Sequence, residues 1–217
     1  FKLVCGAGNE DIEEVERLVA LYSAAGCKFF DLSAKPEVVE AAKRGLRQEA
    51  ALCVSVGIKG DPHINKAQIN YEKCKSCGIC DEICPQKAIK YHKVKTSRCI
   101  GCGKCAKACP QKAISYISQN MEPEKVLPPL IDMGIDCIEL HAMGEDDTEV
   151  FDKWNYMNKT FNGLLSICTA RKNLSDEKMI LRLKNMLEIR EPYTTIIQAD
   201  GYPMSGSKDD YKTTLQT

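Results

Sequence analysis

Eight of the thirteen cysteines fall into two copies of one pattern. The first is Cys74-Lys-Ser-Cys77-Gly-Ile-Cys80-Asp-Glu-Ile-Cys84-Pro85, and the second is Cys99-Ile-Gly-Cys102-Gly-Lys-Cys105-Ala-Lys-Ala-Cys109-Pro110. Both read C-x2-C-x2-C-x3-C-P, the run that in bacterial-type ferredoxins holds two [4Fe–4S] clusters, each fourth cysteine ligating the other cluster. The expected ligand sets are Cys74, Cys77, Cys80 and Cys109 for one cluster, and Cys99, Cys102, Cys105 and Cys84 for the other. Gly78 and Gly103 are expected to let the backbone turn tightly around each cluster. Pro85 and Pro110 end the cysteine-bearing turns. Zinc, the other metal of paired C-x2-C motifs, takes four ligands per site and has no use for a third close cysteine followed by Cys-Pro.

Pro-Gln-Lys-Ala-Ile-x-Tyr closes both copies, at 85–91 and 110–116, so the segment is an internal repeat. Lys87–Tyr91 and Lys112–Tyr116 read as short strands of a pseudo-twofold module, with Ala67–Tyr71 and Val94–Ser97 pairing against them, and Tyr91 and Tyr116 are expected to shield clusters from water.

A second group of chemically able residues lies outside the repeat. Glu139 and His141, two apart in an apolar run, face one side of a strand and offer an acid/base pair or ligands. His63 follows Asp61-Pro62 where the repeat segment begins, and Asp200-Gly201 opens a glycine-rich loop that could hold an anion such as a flavin phosphate. His63, Glu139, His141 and Asp200 are therefore the candidate catalytic residues. Whether they support turnover is left open by the sequence.

The elements that must position these residues alternate regularly. Strands are read at Phe1–Cys5, Cys27–Leu32, Ala50–Val56, Asp136–His141, Leu164–Thr169 and Thr194–Gln198. Helices are read at Asp11–Ala25, capped by Asn9 or Glu10, and at Pro36–Glu49, Glu124–Met133, Glu149–Phe161 and Asp176–Ile189. Near-continuous apolar strands mark a parallel sheet covered on both faces. Polar or small residues recur at strand ends, among them Asp31, Ser55, Glu139, His141, Thr169, Gln198 and Asp200, which favours a (βα)8-type barrel with one functional mouth over a doubly wound sheet. Six βα units can be found, without an initiator Met, so the barrel is expected to be incomplete and two further units to follow. The expected domains are a barrel-like α/β domain at 1–57 and 121–217 and an inserted 2[4Fe–4S] ferredoxin-like module at 58–120. The strands before and after the insert are expected to be parallel neighbours, with the clusters on the mouth side.

Composition narrows the class. The chain has 217 residues, 44% hydrophobic and 28% charged, and no apolar run approaches the roughly twenty residues of a membrane span. Cluster cysteines without a preceding signal peptide imply a reducing compartment, and Cys5, Cys27, Cys53, Cys137 and Cys168 read mainly as small buried hydrophobes. Net charge is zero, yet 60–119 holds eleven Lys/Arg against four Asp/Glu, an excess of seven balanced by the remainder. Such a basic face suits either the acidic remainder of the same chain or an acidic redox partner, and does not point to nucleic acid.

Phe1-Lys-Leu-Val-Cys-Gly-Ala, Asp61-Pro-His63, Ile138-Glu-Leu-His141 and Gln198-Ala-Asp-Gly-Tyr-Pro-Met-Ser-Gly206 resemble the light-dependent period (LdpA) iron–sulfur family of cyanobacteria, plastids and bacterial relatives. The resemblance implies a redox sensor reporting photosynthetic electron transport, through quinone, to clock proteins. It places the chain in bacterial cytoplasm or plastid stroma, beside a redox partner or a photosynthetic electron-transfer complex. Two other readings are carried forward: an oxidoreductase fed by the ferredoxin module and acting on a small molecule in the barrel mouth, and a cluster-bearing structural subunit of a larger redox complex.

Overall fold

The structure is a computed structural model, and it describes residues 2–5, 8–59, 61, 64–119, 122–142, 146–170 and 174–200, the side chains of 170, 199 and 200 excepted. Its first strand and helix are β1 (Leu3–Val4) and α1 (Ile12–Ala24). Asp11, rather than Asn9 or Glu10, caps α1, its side chain accepting from the Glu14 N–H. Then come β2 (Phe29–Ser33), α2 (Pro36–Gly45) and β3 (Ala51–Gly57). Helix α2 ends four residues earlier than its expected limit, Leu46 being extended with ψ 135°. The repeat segment supplies β4 (Asn65–Ile69), α3 (Ile79–Ile83), β5 (Ile89–Lys90), β6 (Lys93–Val94), α4 (Lys104–Ala108) and β7 (Ile114–Ser118). Alternation resumes with α5 (Pro123–Asp132), β8 (Cys137–His141), α6 (Asp147–Thr160), β9 (Leu164–Ala170), α7 (Asp176–Glu188) and β10 (Thr195–Asp200).

Six strands form one parallel sheet in the order β1-β2-β3-β8-β9-β10. Strand order follows chain order without reversal, so the sheet has no switch point and curls as half of a barrel. Among the described residues β1 and β10 are its edges, and a closed eight-stranded barrel goes beyond what they form. Strands β3 and β8 are parallel neighbours, with Ser55 opposite Glu139 and Gly57 opposite His141, although the whole repeat lies between them in the chain. In that repeat β4 pairs antiparallel with β7, and β5 with β6, matching the expected pairing in outline with somewhat different limits.

Parallel register puts partner residues on the same side, and this sorts the sheet into two chemically different faces. One carries Phe30, Leu32, Leu52, Val54, Val56, Ile138, Leu140, Leu165 and Ile167, all buried against Val15 and Val19 of α1, Val38 of α2, Leu127 of α5, Trp154 of α6 and Met186 of α7. Burial of large aliphatic and aromatic side chains, about 1.5–3 kcal/mol each, makes this layer the main source of stability. The other face carries Asp31, Ser33, Cys53, Ser55, Cys137, Glu139, His141, Ser166 and Cys168, equally buried but small or polar. The strands therefore alternate between an apolar side and a polar one, and are not uniformly apolar as read from the sequence.

Candidate functional site

In the repeat segment, Gly78 and Gly103 take left-handed backbone conformations, φ 79° and 81°, as the caps that start α3 and α4. The chain can then turn sharply between the second and third cysteines of each run without a Cβ penalty. Cys74, Cys77, Cys80 and Cys109 line one cavity, with Ile69, Ile79, His92 and Ile114 among its other walls. The fourth cysteine of the second run thus stands with the first three of the first run. Backbone N–H groups point at the sulfurs: Ser76 to Cys74 at 3.4 Å, Ala113 to Cys109 at 3.3 Å, Ala67 to Cys99 at 3.3 Å and Ala88 to Cys84 at 3.2 Å. Converging sulfurs with N–H donors around them fit a thiolate-held iron–sulfur cluster, whose charge such donors offset.

The two arms differ in detail. Cys105 Sγ lies 3.4 Å from the Tyr116 hydroxyl, whereas Cys80 Sγ lies 3.5 Å from Asp81 Oδ1. Burial raises the Cys80 thiol to about 11, and Asp81 adds to the rise. Burial also raises Cys105, while the Tyr116 hydroxyl acts in the opposite direction. Tyr91, expected like Tyr116 to shield a cluster, stands 76% exposed with φ 49°.

The repeat sits on the start of α1 through charges that no local pattern announces. Lys66, buried on β4, donates to the Gly8 carbonyl at 2.8 Å and the Cys99 carbonyl at 2.9 Å, and pairs with Glu10 at 3.4 Å. Asp11 accepts from Lys95 Nζ at 2.5 Å and Arg98 Nε at 2.6 Å, and Arg98 also reaches Glu14 at 3.3 Å. Burial would raise the Asp11 carboxyl, but Lys95 and Arg98 outweigh it and hold it far below the usual carboxylate range. Part of the basic face is thus spent on acids of the same chain. Because Gly8 to Asp11 follow β1 and the repeat follows β3, the contact lies at the carboxyl ends of the strands.

On the polar sheet face, Glu139 is the hub. Its carboxylate takes a close ion pair from Lys2 and hydrogen bonds from Ser166 Oγ at 2.7 Å and Ser55 Oγ at 3.3 Å, and stands 3.0 Å from His141 Nε2. Lys2 also pairs with Asp31 at 2.9 Å, and His141 Nδ1 lies 3.2 Å from Asp61 Oδ2. Burial alone would depress the His141 imidazole, but Asp61 and Glu139 outweigh it and push it up to about 10. Glu139 is lowered to about 2, since His141 and Lys2 overcome the cost of burial. Asp31 rises to about 6, mainly from burial and then from Glu139. Cys168 Sγ lies with the Glu139 and His141 donor atoms in one cluster within 4.8 Å.

Of the four candidate catalytic residues, Glu139 and His141 meet directly. His63 and the 201–206 loop lie outside the described residues, and only the backbone of Asp200, at the end of β10, is described. Asp61, His141 and Glu139 contact one another in series, Asp31 joins Glu139 through Lys2 and Ser55, and none of the four lines the cavity at Cys74. Sequence reasoning missed Lys2 and Ser166. Ser166 alternates with Leu165 and Ile167 in LLSICT, and that alternation was its signal. Cys5, Cys27, Cys53, Cys137 and Cys168 are all buried.

Comparison with known proteins adds two domain families. The two repeats match the 4Fe-4S binding domain at 67–90 and 92–115, and 130–215 match the Light dependent period A C-terminal domain. The chain is 31% identical over 95% of its length to "Light dependent period A" of Synechococcus elongatus, and spans 61% of that protein.

Proposed function

We propose a two-cluster iron–sulfur relay or redox sensor, a reading supported by the match of the repeats to the 4Fe-4S binding domain and of residues 130–215 to the Light dependent period A C-terminal domain. In this reading 58–120 is a ferredoxin-like insert in an α/β domain formed by 1–57 and 121–217. Cys74, Cys77, Cys80 and Cys109 hold one cluster, and Cys99, Cys102, Cys105 and Cys84 hold the other. When bound, each [4Fe–4S] group supplies reversible one-electron chemistry, and the chain's own residues fix its position, hydrogen bonding and water access. Coupling to photosynthetic electron transport is the finer proposal; it is supported by the relative, whose name ties it to light and whose source is a cyanobacterium. A protein redox partner and a site in the cytoplasm or the plastid stroma go with it. No helix among the described residues is long and apolar enough to cross a membrane.

The observation that carries this reading is the docking of the Cys99 run on α1. Lys66 contacts a cluster-run carbonyl and the loop after β1 together, so a charge change in the repeat reaches the α/β part through two hydrogen bonds. An oxidoreductase acting in the mouth finds less support, since Asp61 and Glu139 already engage both ring nitrogens of His141 deep in the protein. Anaerobic purification with iron and sulfide counts, followed by EPR of the dithionite-reduced protein, tests the proposal. About eight irons and two interacting reduced-cluster signals are expected; zinc, or about four irons, would defeat it.

A further inference from the structure

The two cysteine runs are copies in sequence but not in electrostatics. Around the third cysteine the first run reads Ile79-Cys80-Asp81-Glu82, and the second reads Lys104-Cys105-Ala106-Lys107. Two acids in α3 therefore stand where α4 has two lysines or their neighbours. Side-chain positions extend this difference. The Asp81 carboxylate lies 3.5 Å from Cys80 Sγ, a repulsive neighbour for a thiolate, while the Tyr116 hydroxyl lies 3.4 Å from Cys105 Sγ and can donate to one. The buried ammonium of Lys66 lies 2.9 Å from the carbonyl oxygen of Cys99, and Glu10, its ion-pair partner at 3.4 Å, offsets part of its charge. Exposure differs in degree: the first set has one buried cysteine, Cys80, and one exposed, Cys77, whereas the second has two buried, Cys99 and Cys105, and none exposed.

Adding an electron makes a cluster more negative. Cations and donors to its sulfurs raise its reduction potential, and carboxylates lower it. Burial opposes the extra charge, but the same low dielectric strengthens the pull of Lys66 and the Tyr116 donor. Resting on the two-cluster reading above, we propose that the cluster sites are unequal, with the Cys99, Cys102, Cys105 and Cys84 site the higher in potential and the Cys74, Cys77, Cys80 and Cys109 site the lower. With both clusters bound, the lower site, whose Cys77 is exposed, would accept one electron from an external one-electron donor protein, which is oxidised by that one electron, and the higher site, whose Cys99 carbonyl shares Lys66 with the Gly8 carbonyl, would retain it. Lys66, Tyr116 and Asp81 are the residues that set this direction.

EPR-monitored redox titration of the anaerobically purified full chain tests the assignment, with iron and sulfide counted in every variant. The wild type is expected to reduce in two separate one-electron steps. Tyr116→Phe and Lys66→Met are expected to move the higher step to lower potential and leave the other in place. Asp81→Asn, nearly the same shape, is expected to raise the lower step and narrow the gap. Because Lys66→Met removes several contacts and could prevent folding, Tyr116→Phe and Asp81→Asn carry the test by themselves. Full iron content with a single shared step, or Asp81→Asn shifting the higher step, or Tyr116→Phe shifting the lower, would overturn the inequality while leaving the two-cluster reading intact. Iron for one cluster only in the wild type would defeat both.

Discussion

Glu139 and His141 stand two residues apart on β8 with Oε1 and Nε2 separated by 3.0 Å, both buried in one sheet face. Asp61 approaches from the loop after β3, and Cys168 from β9, while Lys2 bridges Glu139 to Asp31. A histidine so placed is charged in the folded protein well above its ordinary range, with its folded pKa raised to about 10. A raised pKa stabilises fully below the unfolded value, 6.5, and the contribution fades as pH climbs through about 10. His141→Gln is therefore expected to cost about 3–5 kcal/mol near pH 6, with the gap to wild type shrinking steadily towards pH 10. Urea unfolding followed by the fluorescence of the single tryptophan, Trp154, buried in α6, is the measurement. A gap that stayed constant over that range would mean a neutral imidazole.

Gly57 sits opposite His141 in the register, and a Cβ built there would come within 2.7 Å of both Asp61 Oδ2 and Ile64 Cγ2. Its role is to leave room for Asp61 to reach the imidazole. Gly57→Ala should destabilise by about 1–3 kcal/mol through overpacking, and the double variant with Asp61→Ala should recover part of that loss. Additive losses in the double-mutant cycle would show that the two positions do not share this space.

The proposed crossed ligation would give Cys84→Ser a distinctive outcome. The cluster held by Cys99, Cys102 and Cys105 should change in EPR or be lost, while signals of the Cys74 site persist. Damage confined to the Cys74 site would falsify the ligand sets.

Asp11 has two roles, capping α1 and receiving Lys95 and Arg98 from the repeat. Asp11→Ala should cost about 1–2 kcal/mol as a lost cap alone, and Asp11→Asn should retain the cap while giving up the charge. If the ion pairs matter to docking, Asp11→Asn will raise hydrogen exchange at the start of α1 and around Ser97, whose carbonyl accepts from the Glu10 N–H. Unchanged exchange in Asp11→Asn would reduce the contact to helix capping.

What could be read in advance follows from how local each signal is. Cluster cysteines are spaced within a few residues, so their chemistry was visible at once, and the β3–β8 pairing followed from counting βα units around the repeat. The polar face of the sheet is less legible, because Cys53, Cys137 and Cys168 read as small hydrophobes in the sequence. With those three regarded as small residues sharing a face with Ser55, Glu139 and Ser166, the alternation emerges. The Lys66, Lys95 and Arg98 contacts had no such trace. Their partners lie about sixty to ninety residues away in the chain, and only the fold brings them together. Tyr91 and Tyr116 occupy equivalent repeat positions, yet only Tyr116 lies in a strand long enough to turn its ring back over a cysteine.

The hydrogen-bonded closure of the repeat also bears on how the chain folds. Asn65 lies opposite Ser118, and the Gln119 N–H donates to the Ile64 carbonyl, so the chain leaves the repeat beside the point where it entered. Pairing β3 with β8 in an unstructured chain means closing a loop of roughly eighty residues; with the repeat already folded, the effective loop falls to roughly twenty-five, an entropic saving of about 1 kcal/mol. Iron delivered early would therefore act as a template, hastening sheet assembly without touching a single strand of it. Iron starvation would in turn slow maturation of the α/β part as well as of the repeat.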